Sequence, residues 1–575
     1  MVDTALDAKM QGKAQAAAAR VHGDRASGFL ALGTIVAALI AMPIVALFVI
    51  ALSGGYEGWQ HLFMTVVPSA TLTTFKLLVF VALLTTVVGV ALAWLVVTFE
   101  FPGRRLFSWA LILPLSVPTY LAAYAYGEFL HFTGPVQEAI RAVFGFQSSR
   151  DYWFPDVRST TGAALVLSSV LYPYVYLTTR TLFVMQGCSA ADVARTLGVR
   201  ALPVFFRVQL PMARPAIVIG VALALMETLN DIGAVAYLGV RTLTFTIFDT
   251  WLNRGNLAGA AQIACLMLII VLGLVFAERM ARGRQRYANT RSSSAHQKAA
   301  LQVLKGGWRW VASLACLLTI LAGFGIPALV LGGFALARLD QFADGRLTSA
   351  LLTSLGVSSC VALLTVLLAF LLTYAARVTH APAFRLLKRL AALGYALPGT
   401  VLAIGVLIPL AALDNYVISL WSAGFGWKPG LILTGTGAAI VYACTVRFMT
   451  MAEGSIDSGF HKVSPHVDMA ARTLGRTRFQ AMMQVLAPMM RPAIFTAALL
   501  VFIDTMKELS ATMLLRPFNF NTLATRVYEE ASRGRVEDGA VAAMLIILAG
   551  IIPVIVLSAN AVQPVRLAPR ITKPG

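Results

Sequence analysis

Between residues 28 and 560 the chain returns repeatedly to uninterrupted apolar runs of about twenty residues, and no other property limits its fold so strictly. A bilayer core of roughly 30 Å takes about 20 residues of helix to cross. Lipid offers no hydrogen-bond partner to an open backbone, so runs of this length must be helices that satisfy their own peptide groups. They can be marked near 28–53, 74–98, 106–127, 161–186, 215–237 and 257–277, and again near 310–336, 351–376, 390–412, 430–450, 492–511 and 539–560. The expected fold class is an all-α polytopic membrane protein with about twelve transmembrane helices, six in each half. Only 13% of the residues are charged, against about a quarter in a soluble domain.

The first run follows a polar leader, residues 1–27, that carries Lys9, Lys13, Arg20 and Arg25. It exceeds a signal-peptide core of about 7–15 residues, so it is expected to stay as a helix. The net charge of +20 raises the question of nucleic acid. With the N-terminus inside, and with Arg180 and Arg447 assigned to the inner ends of their spans, the cytoplasmic segments hold 32 Lys and Arg and the outer loops 12. That asymmetry is the positive-inside bias of a membrane protein, and no nucleic-acid partner is needed to explain it. The densest basic stretch, Arg279 to Arg291 followed by SSSAHQK, marks a cytoplasmic linker over 278–309. It separates a first transmembrane domain, 28–277, from a second, 310–560, with a cytoplasmic tail at 561–575. The five cysteines have no metal-binding or disulfide spacing and read as packing residues.

The halves are related by a repeat. The pentapeptide ARTLG stands at 194–198 and again at 471–475. A constant offset of 277 then places Gly198 on Gly475, Pro211 on Pro488, Arg214 on Arg491 and Pro215 on Pro492. Each copy falls in a cytoplasmic loop, 188–214 or 451–491, before the fifth span of its half. The two units therefore run in the same direction, as parallel repeats do. Within each copy a short helix is expected to stop at the glycine, which tolerates a left-handed turn, and a second short segment to end at the proline.

These loops resemble the coupling motif of type I ABC importer permeases, a pattern of Glu-Ala-Ala, three residues, Gly, and a later Leu-Pro. Asp192 holds the acidic position in the first copy and Met469 replaces it in the second; Val193 and Ala487 are further departures. The resemblance implies ATPase-coupling roles for Asp192, Ala194, Arg195, Gly198, Leu210 and Pro211, and for Ala471, Arg472, Gly475 and Pro488. It also implies two cytosolic ABC ATPase subunits, which would bind ATP and Mg, and one periplasmic substrate-binding protein. The location would be the bacterial inner membrane, with both termini cytoplasmic. The chain has no GxxxxGK[ST] phosphate loop, so it is expected to be a translocation subunit and not an enzyme.

Charged residues inside spans are candidate pathway groups. Glu227 and Asp231 lie four residues apart on the fifth span, and the offset pairs them with Asp504 and Glu508, with Lys507 opposite Asn230. A structural alternative is a polar cluster in which Lys507 neutralises Glu508. Tyr120 and Tyr124, with Tyr126 and Glu128, add oxygen groups on the third span, and ferric iron as a hard ion prefers such ligands. The segments METLNDIGAVAYLG, VPTYLAAYAY and KELSATMLLRPFNFNTLATRVY are similar to those of fused two-domain permeases of bacterial ferric-iron importers, although Ser510 stands where these show proline. Permeases for thiamine, phosphonate, sulfate and polyamine share the architecture. A proton-coupled secondary transporter is the rival from another class. No stably bound metal is expected in the permease. Arg141, Arg150 and Arg158, on the outer loop near 128–160, could meet acidic residues of a binding protein.

Overall fold

The computed structural model describes residues 34–186, 201–283, 301–379, 394, 397–427 and 430–561. In chain order the principal helices of the first half are α1 (Thr34–Ser53), α2 (Val67–Thr98), α3 (Thr119–Phe129), α4 (Thr160–Gln186), α5 (Leu210–Asn230), α6 (Gly233–Tyr237) and α7 (Leu257–Gly283). Next come α8 (Trp308–Ile320), α9 (Ile326–Ala337), α10 (Gly345–Thr379), α11 (Gly399–Phe425), α12 (Ala438–Lys462) and α13 (Pro465–Thr473). The chain closes with α14 (Arg491–Met506), α15 (Ser510–Leu515), α16 (Leu523–Ser532) and α17 (Val536–Ala561). The order repeats: α2 to α7 have counterparts in α10, α11, α12, α14, α15 and α17 at offsets near 277. A two-residue parallel pairing, Phe99–Glu100 with Gln302–Val303, is an addition to the all-α expectation, and it ties the end of the basic linker to the foot of α2.

Among the described residues nine helices are long and apolar enough to cross a membrane, or up to eleven if each of two sharply bent pairs is one span. The bent pairs are Arg104–Ser116 with α3, at 93°, and Phe479–Met489 with α14, at 77°. Helix α12, which carries Arg447 and Glu453, falls outside that set. It also begins later than the apolar run near 430–450. Buried Asp414 of α11 accepts hydrogen bonds from the backbone N–H groups of Ile432, Leu433 and Thr434 and from the Thr434 hydroxyl, which holds that stretch as a turn.

The chain forms two compact units, and packing does not follow the two halves of the sequence. The first unit takes its described residues from 1–62, 247–269 and 350–522; the second from 63–246, 270–349 and 523–575. In the first unit α1 packs on α11 so closely that a Cβ on Gly405 would lie against the Pro43 carbonyl, and the Tyr442 hydroxyl donates to the Leu39 carbonyl. In the second unit α2, α4 and α5 meet through glycines: a Cβ on Gly89 would stand 2.8 Å from Val175 Cβ, and one on Gly220 2.6 Å from Val175 Cα. Small residues at such crossings let membrane helices approach closely enough for dispersion to hold them. Before the 93° bend the α-helix Arg104–Ala110 gives way to a tight turn at Leu113–Ser116, which frees carbonyls that lipid cannot satisfy. Tyr172 and Tyr176 of α4 donate to two of them, Leu111 and Ser108, each at 2.9 Å.

Candidate functional site

The second copy of the repeated loop is a helix-turn-helix. Helix α13 ends at Thr473, and Gly475 adopts φ +81°, the left-handed region that side chains resist. The turn closes with Leu474 N–H donating to the Ala470 carbonyl and Arg476 N–H to the Ala471 carbonyl. Thr477 and Gln480 then form a reciprocal capping box: Thr477 N–H donates to Gln480 Oε1 at 3.0 Å and Gln480 N–H to Thr477 Oγ1 at 3.2 Å. A Thr-x-x-Gln signature two residues after the glycine was the available signal for this second helix start. Ala471 is buried, while Met469, Leu474 and Phe479 are exposed, Leu474 to 83%. Arg472 lies in α13.

In the first copy Asp192, Ala194, Arg195 and Gly198 lie outside the described residues. Leu210 and Pro211 open α5, and Pro488 sits in the short helix Ala487–Met489. Just before each proline the helix loosens into a five-residue π turn, Phe205–Gln209 in one copy and Met482–Leu486 in the other, again offset by 277. Proline lacks an N–H and its ring crowds the carbonyl four residues back. The wider turn accommodates both, with Leu210 N–H reaching the Phe205 carbonyl and Ala487 N–H the Met482 carbonyl.

The acidic positions prove to be places where the fifth helix of each repeat breaks. Helix α5 stops at Asn230, Asp231 is extended, and its Oδ1 accepts the Ala234 N–H at 2.8 Å. Helix α14 stops at Met506, and Glu508 Oε1 accepts the Ala511 N–H at 2.9 Å. Each acid thus caps the short helix that follows, α6 or α15, at equivalent positions. Both are buried. Glu227 is half-buried one turn before Asp231 and acts on it electrostatically.

The structural alternative in which Lys507 neutralises Glu508 is met by different pairings. Its Nζ lies 2.7 Å from Asp504 Oδ1, whereas Glu508 Oε2 meets Arg447 Nη1 at 2.9 Å. Adjacent residues on a helix point apart, and residues three apart face each other. Arg447 was counted with the cytoplasmic charge and is instead a buried partner within α12. Asp414 was also missed, although a carboxylate inside an apolar run is itself a signal.

Tyr120 and Tyr124 are buried on α3, with ring centroids 5.9 Å apart, and Tyr124 packs edge-on to Tyr237 at 4.7 Å. Tyr237 donates to Glu128 Oε1 at 3.4 Å, and Tyr126 to the Ala322 carbonyl at 2.6 Å. Among the described residues no group of three or more His, Cys, Asp or Glu is placed to hold a metal ion.

The duplicated set of membrane helices, each led into its broken fifth span by a proline-terminated segment, fits the permeases of binding-protein-dependent transport to which the chain is similar. Residues 85–286 match the family described as "Binding-protein-dependent transport system inner membrane component". Over 474 residues the chain is 25% identical to the "Fe(3+)-transport system permease protein FbpB 2" of Haemophilus influenzae, covering 82% of this chain and 85% of that one. It is also 28% identical to the "Probable sulfate transport system permease protein cysT" of Chlorokybus atmophyticus, over 41% of this chain and 82% of the relative. With the "Molybdenum transport system permease protein ModB" of Escherichia coli the identity is 26%, over 34% of this chain and 84% of the relative.

Proposed function

We propose that the chain is the translocation subunit of an ATP-driven importer for ferric iron, working by alternating access in a bacterial inner membrane. The observation that carries the substrate is the extent of similarity: the ferric relative matches across both repeats, while the sulfate and molybdenum relatives each match well under half of the chain. The chain's termini are cytoplasmic. One periplasmic binding protein delivers the ion outside, and two ATPase subunits, which hold the ATP and Mg, act inside.

Coupling falls to the duplicated loops. In the second copy the ATPase receives the exposed face of the turn at Gly475, carrying Leu474 and Phe479, and Pro488 passes its movement to α14. In the first copy Asp192, Ala194, Arg195 and Gly198 take the same part, with Leu210 and Pro211 leading into α5. The pathway residues are Glu227, Asp231, Tyr120 and Tyr124 in one repeat and Asp504 and Lys507 in the other; Glu508 serves as a structural cap. A proton-driven carrier would have no use for paired docking loops.

The test is uptake into proteoliposomes containing the permease, its ATPase and its binding protein. ATP-dependent entry of labelled ferric iron, undiminished by excess sulfate, molybdate, thiamine or phosphonate, is expected. Entry of one of these competitors in place of iron overturns the substrate and keeps the class. Uptake driven by a proton gradient without ATP overturns the class.

A further inference from the structure

The acids at the two helix breaks stand at equivalent positions, but their surroundings have diverged. Each spends one oxygen on its cap. The second oxygen of Glu508 is taken by the Arg447 guanidinium, whereas the second oxygen of Asp231 is buried and makes no hydrogen bond among the described residues. Among the described residues the groups acting most strongly on Asp231 are Thr119, the Ala234 and Gly233 backbone and Glu227, none of them cationic. The hydroxyl of Tyr124, fully buried on α3 and an electrostatic neighbour of Asp231, also lacks a hydrogen bond among the described residues. Tyr120, Asp231, Tyr237 and Tyr528 are the electrostatic neighbours of that hydroxyl, and Tyr528 comes from the second half of the sequence but belongs to the same compact unit.

We propose that Asp231 Oδ2 and the Tyr124 hydroxyl are donor atoms of a weak site for a hard, highly charged cation, and that the equivalent site in the second repeat has been closed by Arg447. A buried carboxylate without a counter-charge is costly, and so is each orphaned polar atom; a passing cation relieves both. Carboxylate and phenol oxygens select hard ions over soft ones. So few protein donors leave the ion partly hydrated and able to leave, as conduction requires.

The second repeat differs at the corresponding positions in a concerted way. The offset of 280 that aligns Pro118 with Pro398 puts Gly399 in the place of Thr119 and Ile404 in the place of Tyr124, and the offset of 277 puts Arg447 in the place of Val170. The phenol is gone, a guanidinium has arrived, and the residue beside it has shrunk to admit it. A Cβ on Gly399 would stand 2.9 Å from both Arg447 Nη1 and Glu508 Oε1. Only the identity of the natural ion rests on the ferric reading above; the site itself is argued from its donor atoms.

The full chain, assembled with its ATPase in lipid nanodiscs, is titrated with terbium(III), a hard trivalent ion whose emission is sensitised by a nearby tyrosine. A saturable tyrosine-sensitised signal is expected. It should be lost in Asp231→Asn and in Tyr124→Phe, and retained in Glu508→Gln. Both pathway variants keep the native shape, and Asn can still cap Ala234; if one fails to assemble, the other decides. Absence of a saturable signal in the wild type, its survival in either assembled pathway variant, or an equal loss in Glu508→Gln overturns the proposal. Uptake of sulfate or molybdate with the terbium result intact would refute the ferric reading alone.

Discussion

Arg447 Nη1 lies 2.9 Å from Glu508 Oε2, with only 4% and 5% of the two side chains exposed, so a helix that breaks inside the protein is locked to a neighbour by a buried ion pair. Removing one member of such a pair strands the other, typically at about 3–5 kcal/mol, whereas removing both charges together is often close to neutral. Arg447→Met should therefore lower the thermal midpoint of the purified permease sharply. Adding Glu508→Gln, which keeps an oxygen for the Ala511 N–H, should restore most of it. A double variant as unstable as the single one would show that the pair's charge is not what matters.

Gly399 is required by the space the pair occupies. A Cβ there would also come within 2.9 Å of the Ala511 nitrogen, so Gly399→Ala must push apart a cap and an ion pair at once. Overpacking of this kind costs about 1–3 kcal/mol. In the Arg447→Met, Glu508→Gln background the same substitution should cost less, because the guanidinium has gone. Equal costs in both backgrounds, read as melting shifts, would place the strain elsewhere.

At Gly475 the constraint is the backbone angle, with nothing within 4 Å of a Cβ built there. A left-handed conformation costs most side chains roughly 1–2 kcal/mol, and asparagine visits it more readily. Gly475→Val should reduce stimulation of the partner ATPase, and Gly475→Asn should reduce it less. Identical wild-type stimulation in both variants would exclude this turn from coupling.

The three arginines of the loop near 128–160 are not equivalent. Arg141 donates to the Phe132 carbonyl at 2.6 Å and covers the Phe132 ring, and Arg158 lies over the Tyr237 ring at 5.3 Å, while Arg150 is exposed. Arg150→Glu should slow capture of an acidic binding protein at low salt and have little effect at high salt, as rim charges do. Arg141→Glu should disturb the loop itself at any ionic strength. Association rates for both, measured across a salt series, separate the two roles.

The helical class, the duplication and the left-handed glycine turn were all legible in the sequence, because each rests on local pattern: run length, a constant offset, and a residue type matched to a backbone angle. The polar interior was only partly legible. Arg447 stands 61 positions before Glu508 in the chain, and a charge count along the sequence assigns it to the nearest membrane face without regard to what its side chain packs against. Lys507, adjacent to Glu508, looked like its partner, but helical geometry turns it toward Asp504. The capping role of Asp231 and Glu508 was hidden because the break that calls for it falls within an apolar run, with no proline to mark it and a glycine, Gly233, at only one of the two breaks.

The interleaving of the two compact units also bears on biosynthesis. The unit that holds most of the first half draws on residues 523–561, and the unit that holds α1 draws on residues 350–522. Domains usually fold in turn as they leave the ribosome, amino-terminal first. Here neither unit can be completed that way: the early helices must wait in the bilayer, individually stable through their own backbone hydrogen bonds, until the second half has been inserted. A ribosome that stalled within the linker would leave α1 to α7 in the membrane with both units unfinished, exposed to whatever quality control surveys unassembled helices.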